Sequence, residues 1–273
     1  MKKLIVFFLT AAMLITSVFA FASCGNKTAG NYTDDMKIAH TVDLNSENGA
    51  DAVERDGDHT DSPYFKSQDY YNMTSTETLT IISHFKTYQQ TSEWSCGVCS
   101  ALMVMDYYGK LGNYNEQILA TYRNTEKNYN VAGGTSLRQA MNIFDNVGGF
   151  SYTSTYNYSQ YFDESGAISD DGVYSVINAD MIVNNLKKNI PVMVCWIDWG
   201  GHWQVIIGYD TMGTETTQDD VIIVADPYDT TDQNQDGYGV YGWERFYYNW
   251  SMYDFFAGKF PERDKLFLAA KPL

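Results

Sequence analysis

Basic residues are scarce in this 273-residue chain: eighteen Lys and Arg stand against thirty-four Asp and Glu, a formal charge of -16 at pH 7. A surface so acidic repels phosphate, which excludes nucleic acid as a partner. Charged residues of either sign make up only 19%, too few for a coiled coil, and 44% hydrophobic content excludes a wholly disordered chain. No internal repeat recurs at periods of roughly 20 to 50 residues, so repeat architectures are excluded too. Cysteine and histidine number four each, leaving thiol and imidazole chemistry few places to reside. Tyrosine, in contrast, is abundant. Twenty-two of them supply amphipathic rings suited to polypeptide or glycan contact.

The one long hydrophobic run lies at the front. Lys2 and Lys3 precede an almost unbroken apolar stretch over 4–21, the pattern of a bacterial export signal over 1–23. A membrane-spanning anchor is the competing reading. The continuation Phe21-Ala22-Ser23-Cys24 favours a signal, because it resembles the lipobox of bacterial lipoproteins, with Phe21 where leucine is usual. The resemblance implies that Cys24 is diacylated and becomes the new N-terminus, anchoring the protein to the bacterial cell surface; ordinary secretion is the alternative. Residues 24–61 are rich in Asn, Asp, Gly, Ser and Thr and read as a flexible tether. Within them, 36–44 alternates weakly, as a strand or docking segment would.

Residues 62–273 have the length of one folded domain. A strand over 79–85 runs into the polar turn 89–95, and Val98, Ala101, Leu102 and Met105 then fall at helical spacing, with Gly109 as the stop. Further helices are expected over 115–122, from an N-cap at Thr135 through Phe144, and after the cap Asn178. The period then changes, and strands are expected over 191–197, 202–209, 221–225 and 266–270. Helices first and antiparallel strands after them give an α+β fold.

Three cysteines remain after Cys24, an odd number for an exported domain, so at least one thiol is unpaired. Cys96 sits where turn becomes helix, facing unpaired N–H groups and the positive end of the dipole, which favour a thiolate. Gln90, six residues earlier, can offer an amide donor beside the Cys96 N–H and so complete an oxyanion hole. Of the histidines, His40 and His59 fall in the tether and His84 in the first strand. His202 opens a strand directly after Gly200-Gly201, where glycine permits close approach to the imidazole. The next strand ends in Asp226-Pro227, placing a carboxylate where it can orient that ring.

This order of residues resembles the papain-clan cysteine peptidases, above all the double-glycine leader peptidases that process bacteriocin precursors and their stand-alone exported relatives, the peptidase family thirty-nine-like proteins. The stretches SCGVCSALMVMDYYG, PVMVCWIDWGGHWQVIIGYD and VIIVADPYD carry the likeness. It implies a papain-like fold, helical part packed on an antiparallel sheet, with Cys96 as nucleophile, His202 as base, Asp226 as orienter and Gln90 in the oxyanion hole. It also implies a peptide or protein substrate and no required cofactor. Ser95 replaces the Asp common before the nucleophile in transporter-borne members, and no ATP-binding cassette follows, so leader cleavage has no support. The alternatives are a catalytically silent peptide-binding lipoprotein and an NlpC-type peptidoglycan hydrolase.

Three further features compete for a role. Cys96-Gly-Val-Cys99 has the spacing of a redox pair, although helices followed by antiparallel strands do not suit one. Asp232, Asn234, Asp236 and Gly237 match the first half of an EF-hand calcium loop, whose twelfth position here is Trp243 instead of Glu. Structural calcium is therefore an expectation to test, beside a plain polar loop. Trp196, Trp199 and Trp203 crowd the proposed base, as cleft wall or as core.

Overall fold

The computed structural model describes residues 36–53, 63–123, 133–161, 176–250 and 264–273. The export signal, Cys24 and the remainder of the expected tether lie outside them. The described chain is an α+β fold built on one seven-stranded sheet. Its strands are β1 (Leu79–Ile81), β2 (Phe150–Ser154), β3 (Val192–Trp196), β4 (His202–Asp210), β5 (Val221–Ala225), β6 (Tyr238–Gly242) and β7 (Leu266–Pro272). The order across the sheet is β2-β7-β3-β4-β5-β6, and every pairing is antiparallel.

β4 is the organising strand. Its first half pairs with β3, from Val192↔Ile206 to Trp196↔His202, and its last residues pair with β1 on the same edge. β5 runs along its other edge, with a bulge at Ile207. Gly208 follows because a Cβ there would stand 3.1 Å from Ile223 and 3.2 Å from Ile81, tighter than ordinary contact. The continuous apolar runs of β3 and β5 match their burial on both faces, and β4 between them is buried from His202 to Tyr209.

The helices are α1 (Cys96–Tyr107), α2 (Glu116–Tyr122), α3 (Leu137–Val147), α4 (Ala179–Leu186) and α5 (Trp243–Asn249). All ten residues from Cys96 to Met105 are buried, so α1 is a core helix and lacks a polar face. It packs on β4, where Ser100 Oγ donates to the Trp203 carbonyl at 3.2 Å. Truncating Leu102, 2% exposed in this helix, would cost about 2–5 kcal/mol. Gly109 ends the helix at φ +64, as its sequence position predicts. Asn115 and Asn178 cap α2 and α4 through side-chain oxygens that accept from Ile118 N and Met181 N.

Three expectations need correction. The cap of α3 is Ser136, not Thr135: Ser136 and Gln139 form a reciprocal capping box, which Thr135 has no partner to make. The first strand stops at Ile81, because His84 adopts φ +58 and turns the chain. Of the expected tether, residues 36–53 are packed against the domain. Met36 and Ala50 are buried, Ile38 packs on the core, and backbone bonds join this segment to residues 87–91. Met36 and Ile38 add apolar contacts to this backbone bonding. No helix among the described residues is long and apolar enough to cross a membrane.

Candidate active site

Cys96 is the first residue of α1, and its neighbour explains how it is seated. A Cβ on Gly97 would lie 2.6 Å from Thr135 Cβ, so only glycine lets the first turn of α1 close on the entry to α3. The turn before it is held by Ser92 Oγ donating to Ser95 Oγ at 2.8 Å. Burial pushes the Cys96 thiol up, but a hydrogen bond and charge from His202, with the N–H groups of Trp203 and Gly97, more than offset this. The net shift is downward, toward thiolate.

His202 begins β4 after three successive residues at positive φ: Trp199 (51), Gly200 (78) and Gly201 (115). Its Nε2 donates to Asp226 Oδ1 at 2.6 Å, leaving Nδ1 as the nitrogen available to the sulfur. Burial alone would lower the imidazole, yet the Asp226 charge and hydrogen bond prevail and push it up to about 10. Asp226 is likewise buried, which raises a carboxyl, but His202 and the N–H of Tyr228 hold it below the ordinary range. The pair is 3% and 6% exposed. Removing one member of such a buried pair costs about 3–5 kcal/mol because the other charge is stranded.

Sheet register explains the alignment. Val205↔Ala225 puts Asp226 beside Gln204, and a strand's two-residue period puts Gln204 on the same face as His202. Gln204 Nε2 donates to Asp226 Oδ2 at 2.7 Å, while its Oε1 accepts from Trp196 Nε1 at 2.8 Å. Sequence reasoning missed Gln204, although its position two residues beyond His202 was the signal.

Gln90 is 1% exposed and lines the same cleft as Cys96 and His202. Its Nε2 donates to the Ser92 carbonyl at 2.6 Å, leaving that nitrogen's second N–H for the cleft. Turning the amide would set Oε1 against the Ser92 oxygen; as placed, Oε1 is buried with no hydrogen-bond partner among the described residues. A second residue not foreseen is Glu116, fully buried at the start of α2. Its carboxylate accepts from Tyr88 OH, Thr91 N and Thr91 Oγ1, pinning the loop that carries Gln90.

The cleft encloses about 640 Å³. Trp199, 57% exposed, meets Tyr228 edge to face at 5.6 Å on its rim. Trp203 lines it from below, and Trp196 is core. Among the described residues that line the cleft, Glu93 is the one with formal charge outside the Cys96–His202 pair.

A buried cysteine at a helix N-terminus, its thiol made more acidic by an imidazole that a carboxylate steadies, is equipped to attack an acyl carbon. The family model described as the Peptidase_C39 like family matches residues 82–257, well over half of the chain. The chain belongs to that family. It is thus a member of a cysteine peptidase family, and the match spans Cys96, His202, Asp226 and Gln90. No curated protein gives a match.

Within this Peptidase_C39 like protein the other two features fare differently. Cys96 and Cys99 are not joined by a disulfide, and burial and then the Glu116 charge push the Cys99 thiol well up, away from redox reactivity. In the loop holding Asp232, Asn234 and Asp236, Asp232 Oδ1 accepts from Asn234 N and Asp236 accepts from Asn234 Nδ2 and Tyr238 N, while Asn234 Oδ1 is buried with no hydrogen-bond partner among the described residues. Among the described residues no three His, Cys, Asp or Glu side chains converge as a metal ion would require.

Proposed function

We propose that this protein is a lipid-anchored, extracytoplasmic cysteine peptidase of papain-like fold that hydrolyses peptide or isopeptide bonds. The observation that carries the reading is the line of contacts from Asp226 through His202 to Cys96, at the start of a buried helix and beside Gln90.

Each residue then has a task. The Cys96 thiolate attacks the substrate carbonyl carbon, forming a C–S bond while the π pair moves to oxygen. That oxyanion accepts from the Cys96 N–H and from the second N–H of Gln90 Nε2. Protonated His202 gives its proton to the leaving amine as the C–N bond breaks, and a thioester remains. His202 then takes a proton from water, whose oxygen attacks the thioester and releases Cys96 as thiolate. Asp226, braced by Gln204, keeps Nδ1 aimed at sulfur and steadies the imidazolium in both halves.

The anchor follows from the lipobox-like Phe21-Ala22-Ser23-Cys24. Metabolic labelling with a fatty-acid analogue should mark the wild-type chain and leave Cys24→Ser unlabelled. For catalysis, a fluorogenic peptide library should be turned over by the wild type. Cys96→Ala should lose at least about a thousandfold. Full activity in that variant would eliminate the mechanism.

A further inference from the structure

The segment 36–53 does not merely cover the domain. It runs beside the loop that carries Gln90 and bonds to it repeatedly. Ile38 N donates to the Thr87 carbonyl at 2.9 Å, Asn45 N to the Thr91 carbonyl at 3.0 Å, and Ala50 N to the Gln90 carbonyl at 2.8 Å. Leu44 N donates to Thr91 Oγ1 at 2.8 Å, and that hydroxyl in turn donates to Glu116 Oε2 at 2.7 Å. A relay thus joins the outer segment to the buried carboxylate through one threonine.

The same segment reaches the other side of the site. Tyr228 OH donates to the Asn48 carbonyl at 3.4 Å and Gln235 Nε2 to the Ala50 carbonyl at 2.9 Å. Gln90 N donates to the carbonyl of Pro227, the residue after Asp226, at 2.8 Å. The backbone of Gln90 is therefore fixed on one side by Ala50 and on the other by the turn that follows the orienting carboxylate. The contact is close: a Cβ on Gly49 would stand 2.6 Å from the Thr91 carbonyl carbon.

We propose that residues 36–53 act as a strap that positions Gln90 for the tetrahedral intermediate, with Gly49, Ala50 and the Leu44–Thr91 contact as positioning elements of the oxyanion hole. The inference rests on the cysteine peptidase reading and adds a part to it. The stretch between the export signal and the catalytic domain belongs to the catalytic apparatus. Cys96 and His202 are the first residues of α1 and β4, so the strap acts on the oxyanion and not on the thiolate.

That separation supplies the test, made in the full chain with Gly49→Val, which wedges the strap away, and Thr91→Val, which breaks the relay with little change of shape. A peptide aldehyde is the probe. The thiolate adds to its carbonyl carbon, a C–S bond forms, and the π pair moves onto an oxygen that occupies the hole. Displacing a donor by about 1 Å is worth roughly tenfold to a hundredfold. Both variants should lose that factor in kcat and in aldehyde affinity together, keeping KM and the pH profile of Cys96 alkylation. Unchanged kcat and aldehyde affinity in Thr91→Val would overturn the strap. So would a loss in which KM, alkylation profile and melting temperature all move together, the mark of a general structural role. A wild type that turns over no peptide would instead sink the peptidase reading, which keeps the two failures apart.

Discussion

Gln204 donates from Nε2 to Asp226 Oδ2 at 2.7 Å, while the other oxygen of that carboxylate receives His202 Nε2. The carboxylate is thereby held in plane between an amide and an imidazole. Trp196 holds the amide in turn. Gln204→Ala should free the carboxylate to rotate and lower kcat by about tenfold, whereas Asp226→Asn, which removes the charge, should cost about a hundredfold or more. Steady-state kinetics on one peptide would rank the two, and equal losses would show that Gln204 does more than orient.

The pH dependence follows from the shifted groups. Activity should rise as Cys96 deprotonates below its ordinary range and fall as His202 loses its proton near 10. Stability carries the same sign: His202 is raised in the fold, so its contribution is whole below about 6.5 and fades as pH climbs toward about 10. Melting temperature should fall across that window, and fall less in Asp226→Asn. An identical slope in both proteins would contradict the pairing.

Gly97 tests how the nucleophile is seated. Gly97→Ala drives a Cβ to 2.6 Å from Thr135 Cβ and should cost about 1–3 kcal/mol along with most activity. Thr135→Gly removes the opposing atoms and should recover part of both. Failure of that second change to recover anything would place the defect elsewhere.

Cys99 lies one helical turn beyond Cys96, buried, with its thiol pushed up by burial and by Glu116. Cys99→Ala should keep activity within a few-fold while Cys96→Ala loses it. The reverse result would exchange the two roles.

Charge at the cleft points to a substrate preference. With Glu93 lining the cleft beside the reactive pair, peptides carrying Lys or Arg near the scissile bond should be favoured over acidic ones. Glu93→Gln should shrink that preference about threefold to tenfold, and added salt should shrink it in the wild type. Preference for acidic peptides would refute this reading.

Much of the site was legible because local chemistry marks it. Gly109, Asn115 and Asn178 end or begin helices through backbone bonds that neighbouring residues specify, and Gly200-Gly201 and Pro227 bracket the strands that deliver His202 and Asp226. What was not legible depends on contacts distant along the chain. Glu116 reads as an ordinary helix-starting acid until the fold closes it over Thr91. Residues 36–53 read as a tether because their composition is polar, while their hold on the domain is mostly backbone bonding, to which composition is blind. β2 and β6 were missed as well. Both are only partly buried, so neither shows the continuous apolar run of a central strand.

The most direct test is the rate of Cys96 alkylation by iodoacetamide as a function of pH. A thiolate stabilised by His202 should give an inflection below the ordinary thiol value of about 8.5, moving back toward it in His202→Ala. An inflection at or above the ordinary thiol value in the wild type, unmoved by loss of the histidine, would contradict the account.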